Sequence, residues 1–136
     1  MKKSKNAFVA IGSIIVIIGV ALVYVFGGKP AKIEANDEGI TISGMYGDTY
    51  LYEDIDEIKL ITEEFDITAR TNGSNIGSML RGHFTTTEYG AVVLFIDTEI
   101  KIYISIQMGD DIVIFNLPSV EETNTFYQTL LTHIPA

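Results

Sequence analysis

The chain has 136 residues, a formal net charge of −9 at neutral pH and no cysteine. This length accommodates one domain with a short appendage, and the lack of cysteine excludes disulfides, thiol nucleophiles and thiolate metal sites. Residues 27–136 hold 6 basic and 18 acidic residues, a net charge of −12. Such an acidic surface repels phosphate backbones, so we expect no nucleic-acid partner.

An uncharged segment begins at Ala7 and ends at Phe26, after a basic tail at residues 1–6. As a helix, residues 7–26 would span about 30 Å, the thickness of a bilayer's hydrocarbon core. A cleaved signal peptide is the alternative, but its apolar region is typically about 7–15 residues, and the linker at residues 27–32 offers no clean cleavage site. The segment predicts a retained single-pass transmembrane helix, with the N-terminus inside and the domain outside the cell membrane.

From residue 33 onward, apolar and polar residues alternate with the period of two that indicates half-buried β-strands. Residues 100–107, IKIYISIQ, give the cleanest alternation, and residues 108–111 read as a hairpin turn. Residues 91–96 form a continuous apolar run, which indicates a strand covered on both faces.

The period changes to that of a helix after Pro118. Ser119 is a suitable N-cap, and Glu122 three residues later completes a capping box. One apolar stripe follows at helical spacing: Thr123, Phe126, Tyr127, Leu130 and Ile134. Residues 33–136 therefore predict a mainly β domain, an antiparallel barrel or sandwich of about seven strands covered by one C-terminal α-helix.

Three stretches resemble bacterial pleckstrin-homology (PH)-like domains. Residues 52–61, YEDIDEIKLI, resemble an aromatic-x-Asp-Ile-x-x-Ile segment, and residues 115–130 resemble the family's last strand, its Asn and the opening of its helix. Five residues match an Arg-x-x-Gly, Gly-x-Phe, Gly pattern of a membrane-anchored branch: Arg70, Gly73, Gly82, Phe84 and Gly90. The resemblance covers residues 38–134 and implies a PH-like fold in a non-catalytic interaction module.

The resemblance does not extend to phosphoinositide binding. Eukaryotic PH domains often hold these lipids through basic residues in the loop between their first two strands. The corresponding loop, residues 43–48, contains no Lys or Arg. We therefore do not expect phosphoinositide binding.

The segment ARTNGSNIGSMLRGHF, residues 69–84, is rich in glycine. Its Gly77-x4-Gly82 spacing matches a phosphate loop, but His83 and Phe84 replace the required Lys and Ser/Thr, so no nucleotide or other cofactor is predicted. The segment instead predicts a long inter-strand loop at residues 71–82 that turns at Asn72-Gly73. Whether Met79 and Leu80 form an apolar tip or pack on the barrel stays open. The candidate partner-contact residues are Arg70, Asn72, Gly73, Met79, Leu80, Arg81 and His83.

Other candidate sites carry weaker signals. The chain has two histidines, His83 and His133, and no serine placed in a triad-like pattern, so no catalytic residue is predicted. The acidic residues between 53 and 66 lack the spacing of a calcium loop and indicate a solvated face, so no metal site is predicted. Four tyrosines form either an exposed patch or ordinary strand packing: Tyr46, Tyr50, Tyr52 and Tyr103.

These observations predict a membrane-anchored PH-like domain, not an enzyme, that holds an unknown protein partner near the bilayer. The partner would add a strand at an open sheet edge or contact the loop at residues 71–82. The alternative is an envelope sensor that binds a small molecule, lipid or glycan in an apolar barrel mouth.

Overall fold

The computed structural model describes residues 31–134, and the predicted transmembrane segment lies outside them. None of the helices within residues 31–134 combines the length and apolar character that crossing a bilayer requires. Short turns connect the elements, and a 3₁₀ turn at Tyr52–Asp54 follows the third strand. The elements are β1 (Ile33–Ala35), β2 (Gly39–Ile42), β3 (Thr49–Leu51), β4 (Glu57–Ile61), β5 (Ile67–Ile76), β6 (Met79–Thr86), β7 (Gly90–Asp97), β8 (Tyr103–Met108), β9 (Asp111–Phe115) and α1 (Val120–Leu131).

The strands form two sheets. One has the order β1-β2-β3, and the other has the order β4-β8-β9-β7-β6-β5. The β8–β9 hairpin enters the larger sheet between β4 and β7, and β9 runs parallel to β7. The predicted mainly β domain with one C-terminal helix is confirmed. Of the two predicted arrangements, the barrel is wrong, because both sheets are open. The two sheets are those that a sandwich requires, but residues 31–134 form nine strands instead of about seven and include a parallel pair.

The main core lies where the three-stranded sheet and α1 cover one face of the larger sheet. Ile40 of β2, Ile104 of β8 and Phe115 of β9 are fully buried there. Phe126 of α1 meets Phe115 edge to face, with 5.8 Å between ring centroids. Aromatic pairs in this geometry stabilise a core beyond their buried area.

A second core lies on the opposite face of the larger sheet. Leu94 of β7 and Ile114 of β9 are fully buried in it, beside Phe84 of β6. Because Phe95 belongs to the main core, β7 is buried on both faces. The prediction drawn from its apolar run is therefore confirmed.

Asn116 fixes the connection between β7 and β8. Its Nδ2 donates to the carbonyls of Asp97 and Ile100, at 3.0 and 2.9 Å, and its Oδ1 accepts from the Asp97 N–H at 2.8 Å. These bonds hold residues 97–100 in a turn. The predicted strand at residues 100–107 consequently begins only at Tyr103. The hairpin turn predicted at residues 108–111 is confirmed.

The N-terminus of α1 has the predicted capping residues. Ser119 Oγ accepts from the Glu122 N–H at 3.0 Å and donates to Glu122 Oε2 at 3.0 Å. One turn later, the buried Thr123 Oγ1 accepts from the Leu117 N–H at 2.9 Å and donates to the Ser119 carbonyl at 2.8 Å. Thr123 therefore links the segment that follows β9, at Leu117, to the first turn of α1.

Replacing Thr123 with Val should lower the free energy of unfolding by about 1–3 kcal/mol, because it leaves the Leu117 N–H without its acceptor in the core. Thr125→Val is the matched control, since Thr125 is exposed on the same helix. Urea unfolding of both variants measures the difference. Equal stability of the two variants would contradict this role of Thr123.

Candidate interaction edge

The glycine-rich segment forms a β-hairpin, so the predicted loop at residues 71–82 is wrong. β5 and β6 pair antiparallel from Ile67–Thr86 to Ile76–Met79. The turn is Gly77-Ser78, where Gly77 has φ of 59°, and not Asn72-Gly73. Glycine first in a two-residue turn suits a type II′ hairpin, whose twist matches that of the strands.

Gly73 and Gly82 face each other across this hairpin. A Cβ on Gly73 would overlap the Arg81 carbonyl oxygen, and one on Gly82 would lie 2.7 Å from the Gly73 Cα. Gly82 also has φ of 108°, which side chains rarely adopt. The two strands therefore approach closely because both positions are glycine.

The turn determines which backbone groups of β5 point outward. In a two-residue hairpin the flanking pair, Ile76–Met79, exchanges both hydrogen bonds, and such pairs alternate along an antiparallel ladder. Ser74 therefore bonds to Arg81, while Gly73 and Asn75 belong to the alternate pairs. The N–H and C=O groups of Gly73 and Asn75 point away from β6.

Two bulges disrupt the first half of β5. The register shifts between Ile67 and Ala69 and again between Arg70 and Asn72. The hydroxyls of the two intervening residues, Thr68 and Thr71, donate to β6 carbonyls at 3.1 Å. Bulges bend and twist a strand, so residues 72–76 are the regular half of this edge.

β5 is the last strand of the larger sheet, and no strand among residues 31–134 pairs with its outer side. Most of its residues are exposed, and Ile76 is 75% exposed at the hairpin end. An unpaired strand edge is a template for another strand. We call the outer side of residues 72–76 the β5 edge.

Two grooves adjoin the β5 edge. One of about 590 Å³ is lined by residues 70–76 and is polar. The other, of about 350 Å³, has Ile67, Leu80 and Phe84 in its wall. Alternate side chains of an added strand point to opposite faces, so such a strand would direct its side chains toward both grooves.

The structure separates the predicted contact residues into two groups. Arg70, Asn72 and Gly73 lie on β5. The other four lie on β6, which is an interior strand: Met79, Leu80, Arg81 and His83. Leu80 is buried in the second core and cannot form an exposed tip, so the packing alternative is the correct one for this residue. Asn75 and Ile76, which the sequence prediction omitted, are exposed on the edge.

Tyr46 connects the β2–β3 loop to this hairpin. Its hydroxyl donates to Asn72 Oδ1 at 3.3 Å, and its ring meets the His83 ring edge to face at 6.0 Å. These contacts hold the hairpin against the main core, which Tyr46 also contacts. The edge is therefore supported from both strands of the hairpin.

The hypothesis of one exposed tyrosine patch is wrong. Tyr103 is buried in the second core, whereas Tyr46, Tyr50 and Tyr52 are half-buried against the main core. Burial, with a smaller contribution from the Asp48 carboxylate, raises the pKa of Tyr50 to about 12. Burial and Asp37 raise the pKa of Tyr52 to about 12 as well. The Tyr52 hydroxyl donates to the Asn36 carbonyl at 2.7 Å.

A separate groove of about 720 Å³ lies between the β2–β3 loop and strands β6, β7 and β9. Its wall combines Tyr50, His83 and four aspartates with apolar residues such as Val92 and Val93, so it is a mixed groove with an acidic character. Within residues 31–134, no three His, Asp or Glu side chains are grouped to hold a metal ion. Asp56, one of the acidic residues of the predicted solvated face, accepts from the Gly109 N–H at 2.7 Å and so has a structural contact.

No family model, curated protein or solved structure matches this chain. The geometry of the β5 edge is therefore the basis for the functional proposal.

Replacing Gly82 with Ala should destabilise the protein by more than about 2 kcal/mol, because it adds steric overlap to the cost of a positive φ. Gly90→Ala is the control, since Gly90 also has a positive φ but open space around its Cα. The control substitution should lower the free energy of unfolding by only about 1–2 kcal/mol. Thermal and urea unfolding measure both, and a control at least as damaging as Gly82→Ala would refute the close approach.

Proposed function

We propose that this domain is a non-catalytic protein-interaction module that binds an extended segment of a partner protein at the β5 edge. The observation that carries the proposal is the unpaired outer side of β5, with the backbone groups of Gly73 and Asn75 directed outward. In strand addition, main-chain hydrogen bonds supply affinity and pockets for alternate side chains supply specificity. The β5 edge offers both elements.

The size of the edge favours a modest affinity. Two residues with outward N–H and C=O groups give about four backbone hydrogen bonds, each contributing a net ~0.5–1.5 kcal/mol. Apolar contact with the accessible side chains of Ile67 and Ile76 adds to this, and the ordering of the peptide subtracts from it. Since a dissociation constant of 1 μM corresponds to about −8 kcal/mol, we expect weaker binding, with dissociation constants on the order of 0.1–1 mM.

We further propose that this module is a PH-like domain held at the cell membrane. Support comes from the uncharged segment from Ala7 to Phe26 and from the motifs at residues 52–61 and 115–130. The observed order of elements, strands followed by one helix, agrees with the proposal. The membrane would then keep the β5 edge close to partners in the same bilayer.

The 720 Å³ groove favours a second candidate function, the binding of a small molecule. Its aspartates and half-buried tyrosines would suit a cationic ligand with an apolar body, not a lipid tail or a phosphate. Binding there would not involve the outward groups of Gly73 and Asn75. The two functions can therefore be separated by one substitution on β5.

Asn75→Pro should weaken peptide binding while preserving the fold, because it removes an N–H that points away from β6. Peptides would first be selected from a displayed random library against the full chain in phosphatidylcholine nanodiscs. We expect their affinity to fall at least about tenfold in Asn75→Pro. Asn75→Ala, which keeps the N–H, should bind normally.

Two results would overturn the proposed function. One is a library that yields no binder for the native chain. The other is a set of binders that Asn75→Pro leaves unaffected, which would direct attention to the 720 Å³ groove. Unfolding curves of both variants provide the control for folding.

A further inference from the structure

The charge of this domain is segregated between one hairpin and the remaining surface. Residues 67–87, which include the β5–β6 hairpin, contain Arg70 and Arg81 and no acidic residue. The rest of residues 31–134 holds all 18 acidic residues and three lysines. The β5 edge therefore belongs to a hairpin whose charged residues are two arginines, within a strongly acidic domain.

Arg70 differs from the lysines in its surroundings. Lys32, Lys59 and Lys101 each lie within 2.7–3.4 Å of a glutamate oxygen. Arg70 is exposed, and among residues 31–134 it has no carboxylate within ion-pair distance. It lines both grooves of the β5 edge, so its guanidinium is available to a residue of an added strand.

We infer that the partner segment is an acidic extended peptide, with a carboxylate that meets Arg70 and apolar residues that meet the accessible side chains of Ile67 and Ile76. This inference rests on the proposed function, because it names the partner class for the same edge. Arginine binds carboxylates with two parallel hydrogen bonds, which fixes the orientation as well as the charge of the partner. A basic peptide would place a like charge against Arg70.

The acidic remainder of the domain does not cancel this preference. At physiological ionic strength the Debye length is about 8 Å, so charges farther away are largely screened at the surface. The acidic surface outside the hairpin also disfavours two other binding partners at the β5 edge. It repels an anionic bilayer, and it repels a second copy of this chain, whose β5 would also bring a second Arg70.

The test repeats the library selection with three full-length baits in phosphatidylcholine nanodiscs: the native chain, Arg70→Glu and Lys59→Glu. Lys59→Glu is the matched control, because it makes the same charge change on β4, the other edge of the larger sheet. The native chain and the control should select peptides enriched in Asp and Glu. Arg70→Glu should select neutral or basic peptides. Replacing the acidic residues of a selected peptide with Lys should weaken its binding to the native chain about three- to tenfold at low ionic strength.

Failure of this inference is distinguishable from failure of the proposed function. Binders that depend on the Asn75 N–H but show no acidic enrichment would overturn the acidic partner and leave strand addition intact. If Lys59→Glu reduces the acidic enrichment of the selected peptides as much as Arg70→Glu does, the preference comes from net charge. That result would also overturn the role of Arg70. Loss of the acidic binders in nanodiscs containing phosphatidylserine would assign Arg70 to lipid headgroups instead. Absence of any binder would contradict strand addition itself.

Discussion

The close contact between the backbones at Gly73 and Gly82 is the constraint on which the candidate edge depends. A side chain at either position would overlap the opposite strand, so β5 could not lie along β6 in its observed register. Without that pairing, β6 would become the edge of the sheet, and its Leu80 and Phe84 would lose cover. Two glycines thus decide both where the sheet ends and which strand a partner meets.

The same register determines what the edge presents. The turn at Gly77-Ser78 makes Ile76 and Met79 a hydrogen-bonded pair, and the alternation that follows directs Gly73 and Asn75 outward. The bulges at Thr68 and Thr71 then limit the regular part of β5 to five residues. Bulges and short regular edges protect native sheets from indiscriminate pairing. The edge therefore combines an accessible backbone with a restricted length, which suits reversible binding of a short segment.

The sequence predicted the elements whose side chains alternate between water and the core. β8, the turn at residues 108–111 and the capping box of α1 follow from local patterns, because one face of each element is buried. The alternation over residues 65–70 predicted a strand that includes the first residues of β5. The rest of β5, residues 71–76, escaped prediction because most of these residues are exposed and show no apolar alternation. Its available signal was Gly77-Ser78, a two-residue turn of the kind that closes hairpins, between segments able to pair. The parallel pairing of β7 with β9, and the burial of Tyr103 away from the other tyrosines, depend on strand order, which local periodicity does not report.

Strand addition at the β5 edge can be tested by amide hydrogen exchange along β5, measured by NMR on the full chain with and without a selected peptide. We expect the amides of Ser74 and Ile76 to be protected in both states, because they bond to β6. The amides of Gly73 and Asn75 should exchange rapidly in the free protein and become protected when the peptide is bound. Rapid exchange at Gly73 and Asn75 in the saturated complex would contradict strand addition at the β5 edge.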